Sequence, residues 1–215
     1  GPRSATDFRA DRIVTPPGLP GRRLTRSFFR KGPLDLAPQL LNKLLVVGER
    51  SGRIIEVEAY TGEADPASHA YRGPTPRTEV MFGPAGHLYV YLSYGMHWCA
   101  NVVADETGTA GAVLLRAVHP LSGLEDMRLA RPAARRDTDL TNGPAKMCQA
   151  LGITGSMDGL DLTAAGSAVA LFDDGVPPPI QATVGPRVGI SVAVDHPWRF
   201  SVPGDPYRSR PMPVP

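Results

Sequence analysis

Glycine and proline make up about a fifth of this chain, 23 of each in 215 residues. Proline lacks the backbone donor that a helix interior or a central strand needs, and glycine weakens both. The chain is thereby limited to short elements joined by many turns. It has no internal repeat and no alternating βαβ series, which favours a mixed α+β domain with a largely antiparallel sheet. At 42% hydrophobic residues it suits one globular domain with its own core. No apolar run approaches the roughly 20 residues that span a bilayer, and no signal-type apolar region opens the chain. The reading is therefore a cytoplasmic protein with no membrane partner. Cys99 and Cys148, both in apolar context, read as buried free thiols.

Charge is informative by position. The net is +2, yet residues 1–31 hold seven arginines and one lysine against two aspartates, a local charge of +6 that leaves −4 for the rest. Arginine forks onto phosphate better than lysine does, so residues 1–23 read as an irregular basic arm able to follow a nucleic-acid backbone. A solvated, frayed terminus explains the same composition equally well.

Apolar spacing predicts a helix over Leu34–Lys43, with Asp35 as its cap, then a strand over Leu44–Val47. A turn at Glu49–Gly52 returns the chain into a second strand, Arg53–Tyr60, to make a hairpin. His87–Ser93 and His97–Ala104 flank Tyr94-Gly95-Met96, a hairpin pattern whose tip carries Tyr94 and Met96 outward. Gly111–Val118 is a strand with Arg116 inside an apolar run. Ser122–Arg131 reads as a helix capped by Ser122 with Glu125 three residues on, and Pro144 opens a helix through Leu151. Weaker strands are expected at 168–172, at 181–192 with a break at Pro186, and at 200–202. The tail from Pro203 reads as extended.

The chemistry concentrates between residues 53 and 101. Glu58 lies on a strand of Ile and Val, where a carboxylate can have its proton affinity tuned and serve as a general base. An ion pair with Arg53 or Arg116 is the plainer reading of its spacing. His69 could orient a substrate or cap the turn at Asp65. Tyr89 reads as ordinary sheet core. Tyr94, beside a glycine at a predicted tip, reads as an exposed wedge of the kind that replaces an extruded base. The five histidines are scattered without metal-ligand spacing, so no metal and no cofactor is expected. Neither cysteine sits in a nucleophile motif, and Lys31, Lys43 and Lys146 are the only lysines.

The run Glu58-Ala-Tyr60, then Asp65 and His69, Met81-Phe-Gly-Pro, Tyr89-Val-Tyr91, Tyr94-Gly-Met96 and Asn101 closely resembles the alkyladenine (3-methyladenine) DNA glycosylase family. The match continues through Val113-Leu-Leu-Arg116, Asn142-Gly-Pro-Ala-Lys146 and Arg187-Val188-Gly189, across about residues 24–205, with 206–215 left as a Pro-rich tail. The resemblance implies a single domain with a curved, largely antiparallel sheet flanked by helices, and a β-hairpin that enters the DNA minor groove. It implies a monomeric, monofunctional, metal-free base-excision enzyme acting on double-stranded DNA that contains damaged purines. In that family pattern Glu58 activates a water, which Arg116 and the Val188 carbonyl help to hold. Tyr60 and His69 would stack on one face of the flipped base and Tyr91 on the other, and Asn101 would shape the pocket against guanine. Tyr94 would fill the gap in the duplex, and Thr75, Met81, Met96 and Lys146 match positions that border DNA. The chain departs from the mammalian pattern in a His69–Arg77 loop one residue shorter, at Thr78 and at His97. A non-catalytic DNA-binding module would use the same tyrosines, but it would have no use for Glu58, Arg116 and Val188 together. A small-molecule hydrolase would leave Tyr94 and the basic arm without a role.

Overall fold

The computed structural model describes residues 21–210; the basic arm expected over 1–23 lies almost wholly outside them. Nine strands form one antiparallel sheet. In chain order they are β1 (Arg22–Arg23), β2 (Leu44–Val47), β3 (Arg50–Tyr60), β4 (Leu88–Ser93), β5 (His97–Ala104), β6 (Gly111–Ser122), β7 (Val169–Asp173), β8 (Thr183–Gly185) and β9 (Arg199–Ser201). The helices are α1 (Arg26–Phe29), α2 (Pro33–Leu40), α3 (Leu124–Ala130) and α4 (Pro144–Leu151). The sheet runs β1-β7-β2-β3-β6-β5-β4 and curls, as an α+β domain of this kind was expected to do.

β3 is the hub. Its start pairs with β2, its Glu56–Glu58 stretch pairs with β9 on the same edge, and β6 runs along the other edge. The β3–β6 register slips on both sides of Glu56, a bulge of the kind that re-aims side chains beside functional sites. Period-two alternation then sorts the residues by face. Val57, Leu88, Val90, Ala100, Val102, Val113 and Leu115 join the main core with Leu36, Leu40, Met147 and Leu151 of α2 and α4. Their sequence neighbours Glu58, Tyr89, Tyr91, Asn101, Leu114 and Arg116 take the other face, where a smaller cluster around Tyr89, Met81 and Ala112 supports them.

Both hairpins form where the spacing placed them. The first turn is tighter than expected, with Val47 paired to Arg50. Helix α2 starts one residue before Leu34, puts Asp35 in its first turn rather than at the cap, and ends at Leu40. The capping box at Ser122 does not form. Ser122 ends β6, with its hydroxyl bonded to Ser51 and to the Glu49 carbonyl, while Gly123 at φ 75° leads into α3. Of the strand expected over 181–192 only Thr183–Gly185 pairs. Arg187 turns inward to an ion pair, and Gly189 at φ 75° breaks the extended path.

Candidate functional site

A cavity of about 580 Å³ opens on the site face of the sheet. Glu58 does not line it: the carboxyl lies behind the wall with no solvent exposure, in contact with three residues that do line it, Tyr60, Val188 and Arg116. Tyr60, one strand repeat further on, donates its hydroxyl to Glu58 Oε1 at 2.9 Å. The Val188 amide, from the loop after β8, donates to Oε2 at 2.6 Å. Arg116 on β6 brings Nη1 to 3.5 Å from Oε1. Arg53, the other candidate partner, pairs instead with Asp174. Burial drives the Glu58 proton affinity up, and Arg116, the Val188 amide and the Tyr60 hydroxyl only partly counter it, so the carboxyl stays above its ordinary range. Such a group holds a proton more readily than a surface glutamate does, which suits a general base.

The expected pocket residues share this cavity. Tyr60, His69, Tyr91 and Asn101 all line it, with Arg116, Val188 and Tyr94. His69 and Tyr91 meet edge to face at 4.3 Å between centroids and 75° between planes. A flat base between those two rings needs about two stacking gaps, roughly 7 Å, so they are not open parallel plates in this state. Burial and the nearby Arg77 charge push the His69 imidazole down, toward its neutral form. Asn101 donates to the Tyr89 carbonyl at 3.3 Å, which fixes its amide. At Val188 the amide, not the carbonyl, meets Glu58.

Of the residues expected beside DNA, Tyr94 and Met96 stand out at the β4–β5 tip, 89% and 73% exposed. The Met96 amide closes a turn to the Ser93 carbonyl, and both residues between them, Tyr94 at φ 51° and Gly95 at φ 67°, are left-handed. That conformation suits glycine and costs a bulky residue about 1–2 kcal/mol. Thr75 is exposed, and its amide donates to Thr78 Oγ1 at 3.0 Å. Lys146 is exposed on the first turn of α4 and donates to Asn142 at 3.1 Å. Met81 is placed differently: at 3% exposure it belongs to the small cluster with Tyr89 and Ala112 and lines the cavity itself.

Three parts of the site lay beyond the sequence reading. Tyr89 is core, as expected, but its hydroxyl also meets His69 Nδ1 at 3.1 Å. Arg187 forms a fully buried two-armed ion pair with Asp65, at 2.6 and 3.0 Å, and lays its guanidinium 4.6 Å from the Tyr60 ring centroid, backing that ring from outside. Burial works against the Asp65 charge, but the Arg187 bonds outweigh it and hold the carboxyl below its usual range. Arg77 lies 5.5 Å from the Tyr91 ring centroid. A single charge in a largely apolar run was the available signal for Arg187, but no spacing rule joins it to Asp65. Among the described residues no three His, Cys, Asp or Glu side chains are grouped to hold a metal, and no helix is long and apolar enough to cross a membrane.

Known proteins match this arrangement over most of its length. A family profile described as Methylpurine-DNA glycosylase (MPG) matches residues 27–206. A Burkholderia lata protein named "Putative 3-methyladenine DNA glycosylase" is 56% identical over 197 residues, which is 91% of this chain and 95% of that one. Proteins of the same name from Rhodopseudomonas palustris and Streptomyces avermitilis are 48% and 47% identical, covering 93% and 85% of this chain and 93% and 89% of their own. The chain belongs to the methylpurine-DNA glycosylase family.

Proposed function

We propose that the protein is a 3-methyladenine-type DNA glycosylase. It turns an alkylated or otherwise damaged purine out of duplex DNA into the cavity and hydrolyses the bond between base and sugar. The observation that carries this is the pairing of a buried, proton-hungry Glu58 with an aromatic cavity. Relatives named for 3-methyladenine support the lesion class.

In the reaction a water forms a new bond to the sugar C1′, the N-glycosidic bond breaks, and the water's proton passes to Glu58. The departing base takes the bonding electrons; a cationic N-alkylated purine leaves neutral. Glu58 also offers its charge to the oxocarbenium-like sugar, and Arg116 and Val188 keep its carboxylate aimed. Tyr60, backed by Arg187, gives the base one face to stack on and Tyr91 another, with His69 turning to admit it. Flipping costs a few kcal/mol, less at a damaged pair. The β4–β5 hairpin enters the minor groove, and Tyr94 fills the space the base leaves. As the family resemblance implies, the enzyme stops at an abasic site without cutting the strand.

The test is base release from duplexes carrying single lesions, wild type beside Glu58→Gln, with and without EDTA. The expected result is release by the wild type alone, indifferent to chelator, with the variant still binding. Full activity in Glu58→Gln removes the base. A wild type that binds these duplexes and never releases a base returns the protein to the non-catalytic binding class.

A further inference from the structure

Glu58 has a buried neighbour of the same charge. Glu56, two residues earlier on β3, is equally shielded from water, and the proposed reaction does not use it. A buried carboxylate is costly unless fully bonded, so its partners are informative. Its Oε1 accepts from Arg116 Nε at 2.7 Å and from the Ser209 hydroxyl at 2.5 Å. Its Oε2 accepts from the Ser209 amide at 2.8 Å. The same hydroxyl accepts from Arg116 Nη2 at 2.9 Å, so Ser209 bridges the ion pair it sits on. Arg199 of β9 lies 3.8 Å from Glu56 and gives its Nε to the Pro186 carbonyl, two residues before the amide that holds Glu58. The segment carrying Ser209 is itself anchored: Asp205 meets His119 Nδ1 at 3.0 Å, and the Tyr207 ring packs on His119.

We infer that Glu56 and Ser209 are positioning residues for the proposed hydrolysis, holding Arg116 by its Nε and Nη2 so that only Nη1 reaches toward Glu58. The inference rests on Glu58 as the base. At 3.5 Å the Arg116–Glu58 contact is longer than a charge-assisted hydrogen bond. Arg116 thereby steadies the Glu58 charge without closing on it as a two-armed pair, which would spend its basicity. The charged and titratable groups facing Glu58 are Arg116 on β6, Glu56 and Tyr60 on β3, Tyr91 on β4 and Arg199 on β9. Of these, Glu56 competes for the Arg116 guanidinium through a direct hydrogen bond.

The experiment measures release of free methylated bases from methylated duplex DNA across pH. It compares the full-length wild type with Ser209→Ala, Ser209→Thr, Glu56→Gln and Glu58→Gln, with thermal unfolding of each in parallel. Loss of this geometry is expected to lower kcat by roughly 10- to 100-fold in Ser209→Ala and Glu56→Gln, leaving KM within about twofold. Ser209→Thr, which keeps the hydroxyl, is expected to recover most of the rate. Glu56→Gln frees Arg116 to close on Glu58, so its acid limb is expected at lower pH than the wild type's. Folded Ser209→Ala and Glu56→Gln enzymes with wild-type kcat and acid limb overturn the positioning role and leave Glu58 as base. Should Glu56→Gln fail to fold, Ser209→Ala and its Thr rescue decide. Activity in Glu58→Gln overturns the base and, with it, the role of its neighbours.

Discussion

On the proposed reading Glu58 must lose its proton to work, and it is buried where losing it is hard, which leaves a signature in the pH dependence. Burial holds the Glu58 carboxyl above its ordinary range despite Arg116. Base release is therefore expected to fall on the acid side at a pH above that of a solvent-exposed glutamate, and to be lost as pH drops through this raised value. The measurement is kcat for base release against pH; an acid limb within the ordinary carboxylate range removes Glu58 as the titrating group. At this scale the sequence marks individual residues better than their partners. Glu58 and Arg116 are each conspicuous as a charge inside an apolar strand, and adjacent strands bring them together. Asp65 and Arg187 are 122 positions apart, Glu56 and Ser209 are 153 apart, and neither pair shares a period or a motif. They are joined by where β9 crosses back to β3, which is a property of the curled sheet as a whole.

Among the elements, the β4–β5 hairpin is the one most fully written in local sequence. Apolar and aromatic runs at Leu88–Ser93 and His97–Ala104, with Tyr94-Gly95-Met96 between them, mark the hairpin, and the strands pair from Leu88 with Val102 to Ser93 with His97. The helix at 122–131 shows the opposite case, since Ser122 finds a better bond across the sheet, to Ser51, than at a helix cap. The hairpin also carries a conflict: a tyrosine occupies a left-handed position that asparagine fills more readily. Tyr94→Asn is expected to raise stability toward denaturant by roughly 0.5–1 kcal/mol while weakening capture of an extruded base. The measurements are a denaturation midpoint and base release from lesion duplexes. Gain of stability with unchanged release would take the wedge away from Tyr94.

For the molecule as a whole, long-range ties hold the two ends of the described chain to the sheet. Arg26 of α1 bonds the Ala85 carbonyl, Asp161 and Thr163. Burial opposes the Asp161 charge, but Thr163 and Arg26 outweigh it and bring the carboxyl down to about 2. A depressed carboxyl adds stability above its unfolded value near 4, lost as pH falls toward the folded one. Asp161→Asn is expected to lower the unfolding temperature at pH 7 and to match the wild type as pH approaches 2; a gap that does not narrow in acid would mean Asp161 contributes by shape alone. At the other end, β9 and the Ser209 segment reach β3 after every strand that borders the cavity has been made. In chain order β3, the β4–β5 hairpin and β6 all precede Val188, Arg199 and Ser209, the residues that reach back to Glu58 and Glu56. On the proposed reading, the rings that would take the base and the contacts that would align the carboxylate come from separate stretches of chain, so a change beyond residue 185 is able to cost hydrolysis while leaving base capture in place.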